Sequence, residues 1–243
     1  LRWAFGVSAV SAVAAFFALG KWTPMIGLGL ALAAWIASTV VLALVTRLQE
    51  NKSPDWTRRF AAQPGSFYGM LLAHFGVAVF IVGVTIVSGF QSETDVRMEP
   101  GDTATVADYQ VRLEKVEDIR GPNYEASRAT LSVMQGGKLV ATVTPDRRVY
   151  NVSRSPMTEV AIDRGLLRDV YIALGDPVSA TAWSVRLHHK PFVNWIWIGC
   201  VLMALGGLLA VMDRRYRKLR IHASQGAAAS GAAGPTPSGG VAV

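Results

Sequence analysis

Only one cysteine, Cys200, occurs in 243 residues, so no intrachain disulfide can form. Charge is also scarce, at 17% Asp, Glu, Lys and Arg, where a soluble domain carries about 25%. The deficit is local. No charged residue occurs in 3–20, 22–46, 60–92 or 191–212, and apolar runs of about 18 residues or more are candidates for membrane spans. Missing too are a nucleophile with its base, a metal-ligand cluster, a phosphate-binding loop and an internal repeat. Catalysis by this chain alone is therefore unsupported. The first residue is Leu1 rather than Met, and a partial or processed chain is the simplest expectation.

The net charge of +7 divides unevenly. Residues 91–190 hold 14 acids and 13 bases, and the positive excess flanks the apolar runs. Such an arrangement orients helices in a bilayer and argues against a nucleic-acid partner. The pattern predicts an α-helical integral membrane bundle of about four transmembrane helices with an inserted, mostly antiparallel β domain. Its divisions are a helical hairpin at 1–46, a basic loop at 47–66, a helix at 67–90, the β domain at 91–190, a last helix at 191–212 and a basic, then disordered tail at 213–243. By the positive-inside rule the basic loop, the tail and both termini are expected in the cytoplasm, with 91–190 on the opposite side. Trp22, Tyr68, Trp195 and Trp197 fall near the predicted boundaries, as an aromatic belt would.

Within 91–190 the period changes to two. Val111 and Leu113 alternate with Arg112 and Glu114, and Ala129, Leu131 and Val133 repeat the pattern of a half-buried strand. Gly136-Gly137 signals a two-residue hairpin turn, and Gly121-Pro122-Asn123 and Gly175-Asp176-Pro177 are expected to mark further turns.

His74 is the only ionisable side chain inside a predicted span. Groups of this kind at membrane depth face a bundle interior, a cavity or a ligand. Three uses fit it: axial ligation of haem iron, proton relay, or a structural hydrogen bond to another helix. Gly69, Gly76 and Gly83 recur every seven residues on the same helix, a spacing that lets a second backbone approach. If His74 ligates haem, a second ligand must come from another helix at similar depth; no other span contains His, and Met203, the one thioether there, is expected to pack, so that ligand is expected on sequence this chain lacks. His188 and His189 are adjacent on a predicted strand and so point to opposite faces, which prevents them from sharing a metal. Cys200 is expected to pack within the last span, and His222 to be solvated beside the basic tail. The β domain also offers Arg147, Arg148, Tyr150, Arg154, Thr158, Glu159, Asp163, Arg168 and Asp169, whose arginines can pair with haem propionates or a partner's carboxylates, or which form surface pairs and loop-ordering hydrogen bonds.

Several strings in order, LLAHFGVAVFIVG, DVRMEPGDT, GPNYEASRATLSV, PDRRVYNVSRSPMTEVAID, LLRDVYIALGD and KPFVNWIWIGCVLMALGG followed by RRYRK, resemble the C-terminal part of the CcmF family. That resemblance implies part of a cytochrome c haem lyase in the bacterial inner membrane. Such a protein receives haem from the chaperone CcmE and joins it to apocytochrome c at the periplasmic face with other maturation subunits. It also implies a haem b between two transmembrane histidines, with His74 where the second would fall. The family's tryptophan-rich segment, its two periplasmic haem-ligating histidines and its first transmembrane histidine have no counterpart here, so a fragment or split subunit inactive alone is expected.

Overall fold

The computed structural model describes residues 3, 5–10, 23–51 and 53–213. Residues 5–10 are helical, but most of the predicted first span, with Trp22, lies outside the described residues, as do His222 and the tail after Asp213. Three described helices are long and apolar enough to cross a membrane: α1 (Pro24–Glu50), α3 (Gly65–Phe90) and α4 (Val193–Met212). At about 1.5 Å per residue the shortest just spans a hydrocarbon core of about 30 Å. The chain is an integral membrane protein.

Helix α1 starts where Thr23 Oγ1 accepts from the Ile26 amide at 3.4 Å and Pro24 supplies a preset first turn. It runs to Glu50, past the expected end at Thr46, because charged residues outside the apolar run still extend a helix. Arg47 stabilises that extension by donating to Gln63 Oε1 at 3.1 Å. The basic link also contains a short helix, α2 (Trp56–Ala61). Pro64 offers α3 no side-chain cap. Instead Asp213, just past the end of α4, accepts from the Ser66 amide at 2.9 Å, placing a carboxylate at the positive end of the α3 dipole.

Helices α3 and α4 meet along glycines. A Cβ built on Gly76 would lie 2.8 Å from the Gly199 carbonyl oxygen, and one on Gly69 would lie 2.5 Å from that of Gly206. Gly199 and Gly206 make the reciprocal approaches to Gly76 and Gly69. The predicted glycine face is therefore one half of a matched antiparallel seam. Helix α1 covers a different face of α3, where Gly29 abuts Thr85 and Gly89 abuts Ile26.

The β domain is a sandwich of two antiparallel sheets. Strands β1 (Ser92–Met98), β10 (Trp183–Pro191), β9 (Arg168–Pro177) and β8 (Ala161–Arg164) form one sheet in that order. The other orders β2 (Thr103–Val106), β3 (Tyr109–Arg120), β4 (Tyr124–Gln135), β6 (Asp146–Tyr150) and β7 (Pro156–Glu159), with β5 (Lys138–Val143) also paired to β4. The predicted alternation holds, since Val111, Leu113, Ala129, Leu131 and Val133 are fully buried with Val170, Ile172, Leu174, Val185 and Leu187. Gly136 and Gly137 both have positive φ in a two-residue turn between the paired Gln135 and Lys138. Gly175-Asp176-Pro177 is a departure: it continues β9, and the turn lies beyond Pro177. Gly175 suits a close approach, because a Cβ there would lie 3.2 Å from the Ser184 carbonyl oxygen, beside a register shift in β10.

Helix α3 passes through Gln91 into β1, and β10 passes through Phe192 into α4. Phe192 adopts φ 57°, a left-handed conformation uncommon for a bulky residue. It is held by its amide donating to Leu167 O at 2.8 Å and by its ring lying 5.0 Å from that of Trp195. In the first turn of α4, Asn194 Nδ2 donates to Gly165 O at 2.6 Å and to the buried Asp169 Oδ1 at 2.8 Å, which also accepts from the Gly165 amide at 3.1 Å. These bonds clamp the β8–β9 turn to the helix.

Two outcomes test this framework. Gly76→Leu is expected to destabilise the helix pair by about 1–3 kcal/mol through overpacking, read as a lower thermal midpoint in detergent. Asn194→Ala is expected to cost about 1–3 kcal/mol locally, so that the Gly165 amide exchanges with deuterium faster while amides in mid-β3 keep their protection.

Candidate functional site

His74 lies nine residues into α3 from Gly65, about 14 Å along the axis. It is exposed in this chain. Helix α4 packs on the Gly76 side, about 160° around the helix, and α1 packs on the side of Ala78, Val82 and Thr85. Exposed Met70 lies one turn before His74, which sits at the edge of the α1 face rather than under it.

The ring has a defined orientation. His74 Nδ1 sits 2.8 Å from the Met70 carbonyl oxygen one turn back. A carbonyl only accepts, so Nδ1 carries the hydrogen in this bond and the neutral ring keeps its lone pair on Nε2. A backbone carbonyl on one ring nitrogen with the other left free is the arrangement that suits a histidine to metal ligation.

The other sequence candidates are not brought to His74. The Met203 backbone packs against Gly76, on the far side of α3. His188 and His189 lie in β10, beyond the other end of α3, which extends about 24 Å past His74. They do face opposite ways: His188 Nδ1 is 3.5 Å from Glu93 Oε2, whereas the His189 ring is 5.7 Å from that of Tyr109 inside the sandwich. Burial, with the nearby Arg168 cation, pushes the His189 pKa below its ordinary value. Its Nδ1 and the paired strand neighbour's Ser92 Oγ are buried without a hydrogen-bond partner among the described residues. Cys200 is half-buried in α4. Among the described residues no group of three or more His, Cys, Asp or Glu is placed to hold a metal ion.

The sandwich arginines pair internally. Asp146, 2% exposed, accepts from Arg128 Nε at 2.6 Å and Nη2 at 2.8 Å, and from Arg148 Nη2 at 3.1 Å. Arg148 also reaches Glu159 at 3.2 Å and lies over the Tyr124 ring, Arg147 pairs with Asp176, and Arg168 binds Asp163 and the Tyr109 hydroxyl. These contacts order the two sheets. Sequence reasoning missed Asn194 and Asp213, since neither carries a local motif and each acts on a residue distant in the chain.

Between α1 and α3 lies an apolar concavity of about 310 Å³, lined by Leu30, Ala33, Ala37, Phe75, Val82 and Trp195. The alanines leave the space. Trp195 Nε1 is buried with no acceptor among the described residues.

The Arg128 hydrogen bonds hold the Asp146 carboxyl below the usual carboxylate range, against the opposing effect of burial. A depressed folded pKa adds stability that is complete above the unfolded value of about 3.9 and is lost as pH falls through the folded one. Asp146→Asn is expected to cost about 2–3 kcal/mol at neutral pH and to flatten the acid limb of stability, as followed by the β-sheet unfolding midpoint down to about pH 3.

Residues 89–191 match the family described as the CcmF C-terminal beta-sandwich. The chain is 45% identical over 170 residues to the cytochrome c-type biogenesis protein CcmF of Pseudomonas aeruginosa, covering 69% of this chain and 26% of the relative. It is 41% identical over 198 residues to the CcmF of Escherichia coli K12, covering 82% of this chain and 29% of the relative. A solved structure of cytochrome c heme lyase CcmF shares the fold with a TM-score of 0.66 and 18% identity, over 86% of this chain and 34% of that one. The chain thus spans about a quarter to a third of the length of these proteins. With its sandwich set between apolar helices, it corresponds to the C-terminal part of the CcmF family.

Proposed function

We propose that this chain is the C-terminal portion of a cytochrome c maturation haem lyase subunit, binding haem b through His74 and helping to attach haem to apocytochrome c. The carrying observation is the exposed His74 ring, with Nδ1 bonded to Met70 O and Nε2 without a partner among the described residues. When bound, haem supplies a one-electron iron couple at that nitrogen. Met70 O would fix the tautomer of the ring that holds the iron. Haem held at His74 would need a second ligand, which in this reading another chain or segment would supply. In this reading the protein lies in the bacterial inner membrane, both termini are cytoplasmic, and the sandwich at 91–190 is periplasmic. There it works with the haem chaperone CcmE, apocytochrome c and the other maturation subunits. The relatives' names, cytochrome c-type biogenesis protein and cytochrome c heme lyase, support this assignment.

A second reading is a non-catalytic scaffold whose sandwich recruits apocytochrome or maturation partners, with His74 structural. The internal pairing of Arg128, Arg147, Arg148 and Arg168 favours it, since those arginines brace the domain. Optical spectra separate the two. In haem-replete membranes His74→Ala is expected to lower b-type haem bound to the full chain by about tenfold or more. Unchanged haem content and spectrum would remove the ligand assignment and leave the scaffold.

A further inference from the structure

The sandwich exposes two adjacent leucines at an unusual place. Leu166 and Leu167, 66% and 54% exposed, form the tip of the β8–β9 turn. Pro191, from which β10 leaves the sheet toward α4, pairs with Arg168, the residue after this turn. The tip therefore projects in the direction in which the chain enters the membrane. The Phe192 amide donates to Leu167 O at 2.8 Å, which puts the Leu167 backbone level with the residue preceding α4. Five residues further into α4, about 7.5 Å along its axis, Trp197 is 69% exposed on a membrane-spanning helix. Tryptophan marks the boundary between headgroups and hydrocarbon.

We propose that the Leu166-Leu167 turn docks into the lipid leaflet on the sandwich side, as a third attachment of the β domain to the bilayer beside its two covalent connections. Apolar groups in this position bury themselves about 5–10 Å into the boundary between headgroups and acyl chains. Water-facing leucines at the same level would forgo that gain. The turn is rigid enough to hold the insertion, since Asn194 and Asp169 bind both the carbonyl and the amide of Gly165. Exposed Arg164 flanks the pair and can extend its guanidinium to lipid phosphates while its stem covers the apolar tip. Arg168 on the other flank is committed to Asp163 and Tyr109. A partner protein is the competing occupant, but the leucines lie at the end of the sandwich from which α4 enters the membrane rather than on the outer faces of the sheets.

A nitroxide on Leu166→Cys in a Cys200→Ala background, with the full chain in phospholipid nanodiscs, tests this. Collision with oxygen is expected to exceed collision with a water-soluble nickel chelate severalfold, and a label at Val152→Cys, a 96%-exposed position in the β6–β7 turn, is expected to show the reverse. A Leu166 label as open to nickel as the Val152 label would overturn the proposal. Shielding from both reagents would also overturn it, because protein rather than lipid would then cover the turn. Leu167→Cys gives an independent reading if the first variant folds poorly.

Discussion

Backbone contact between α3 and α4 is the constraint on which the rest of the architecture depends. Helix α3 continues into β1 and β10 continues into α4, while β1 and β10 are themselves neighbours in a sheet. Paired strands lie about 4.8 Å apart, whereas packed helix axes are usually about 8–10 Å apart. Two helices feeding such a pair must approach closely, and Gly69, Gly76, Gly199 and Gly206 leave no side chain in the way. Gly83 extends the seam to Ile196, near the sandwich. The seven-residue spacing keeps these positions facing the partner over several turns.

A consequence is a division of labour around α3. One face is committed to α4 and another to α1, and His74 stays exposed at the edge of the α1 face. Outside the bilayer the sheets divide in the same way. On β10, His189 turns inward against Tyr109, while His188 turns outward to Glu93 and neighbours the Arg186–Asp95 pair. Residues adjacent in sequence thus occupy different dielectric settings, and burial lowers the pKa of the inward histidine.

Much of the framework was legible before any coordinates. Strand faces follow from alternation because a period of two has only one way to bury Val111 and Leu113 together. The Gly136-Gly137 hairpin follows from the need for positive φ at both positions. The glycines of α3 announced a close helix contact, although their partners in α4 were identified only in the fold. Interactions that span the chain were not legible. Asp213 meets Ser66 across 147 residues, and Asn194 reaches back to Gly165. Nothing local distinguishes that aspartate or asparagine from a solvated one. Gly175 misled for a related reason: a Gly-Asp-Pro string signals a turn locally, but the glycine lies within a strand, closely opposed by the Ser184 backbone. At His74 the residue was conspicuous because its span is otherwise uncharged, while its tautomer required the position of Met70 O.

The Asp213–Ser66 bond joins the first residue after α4 to the first turn of the helix that bears His74. It makes the helix pair a closed mechanical loop, fastened by the sheet at one end and by this carboxylate at the other. Tension applied to the chain beyond Asp213 is transmitted to the start of α3 as well as along α4. The segment after the last span therefore has a direct lever on the helix that presents the histidine.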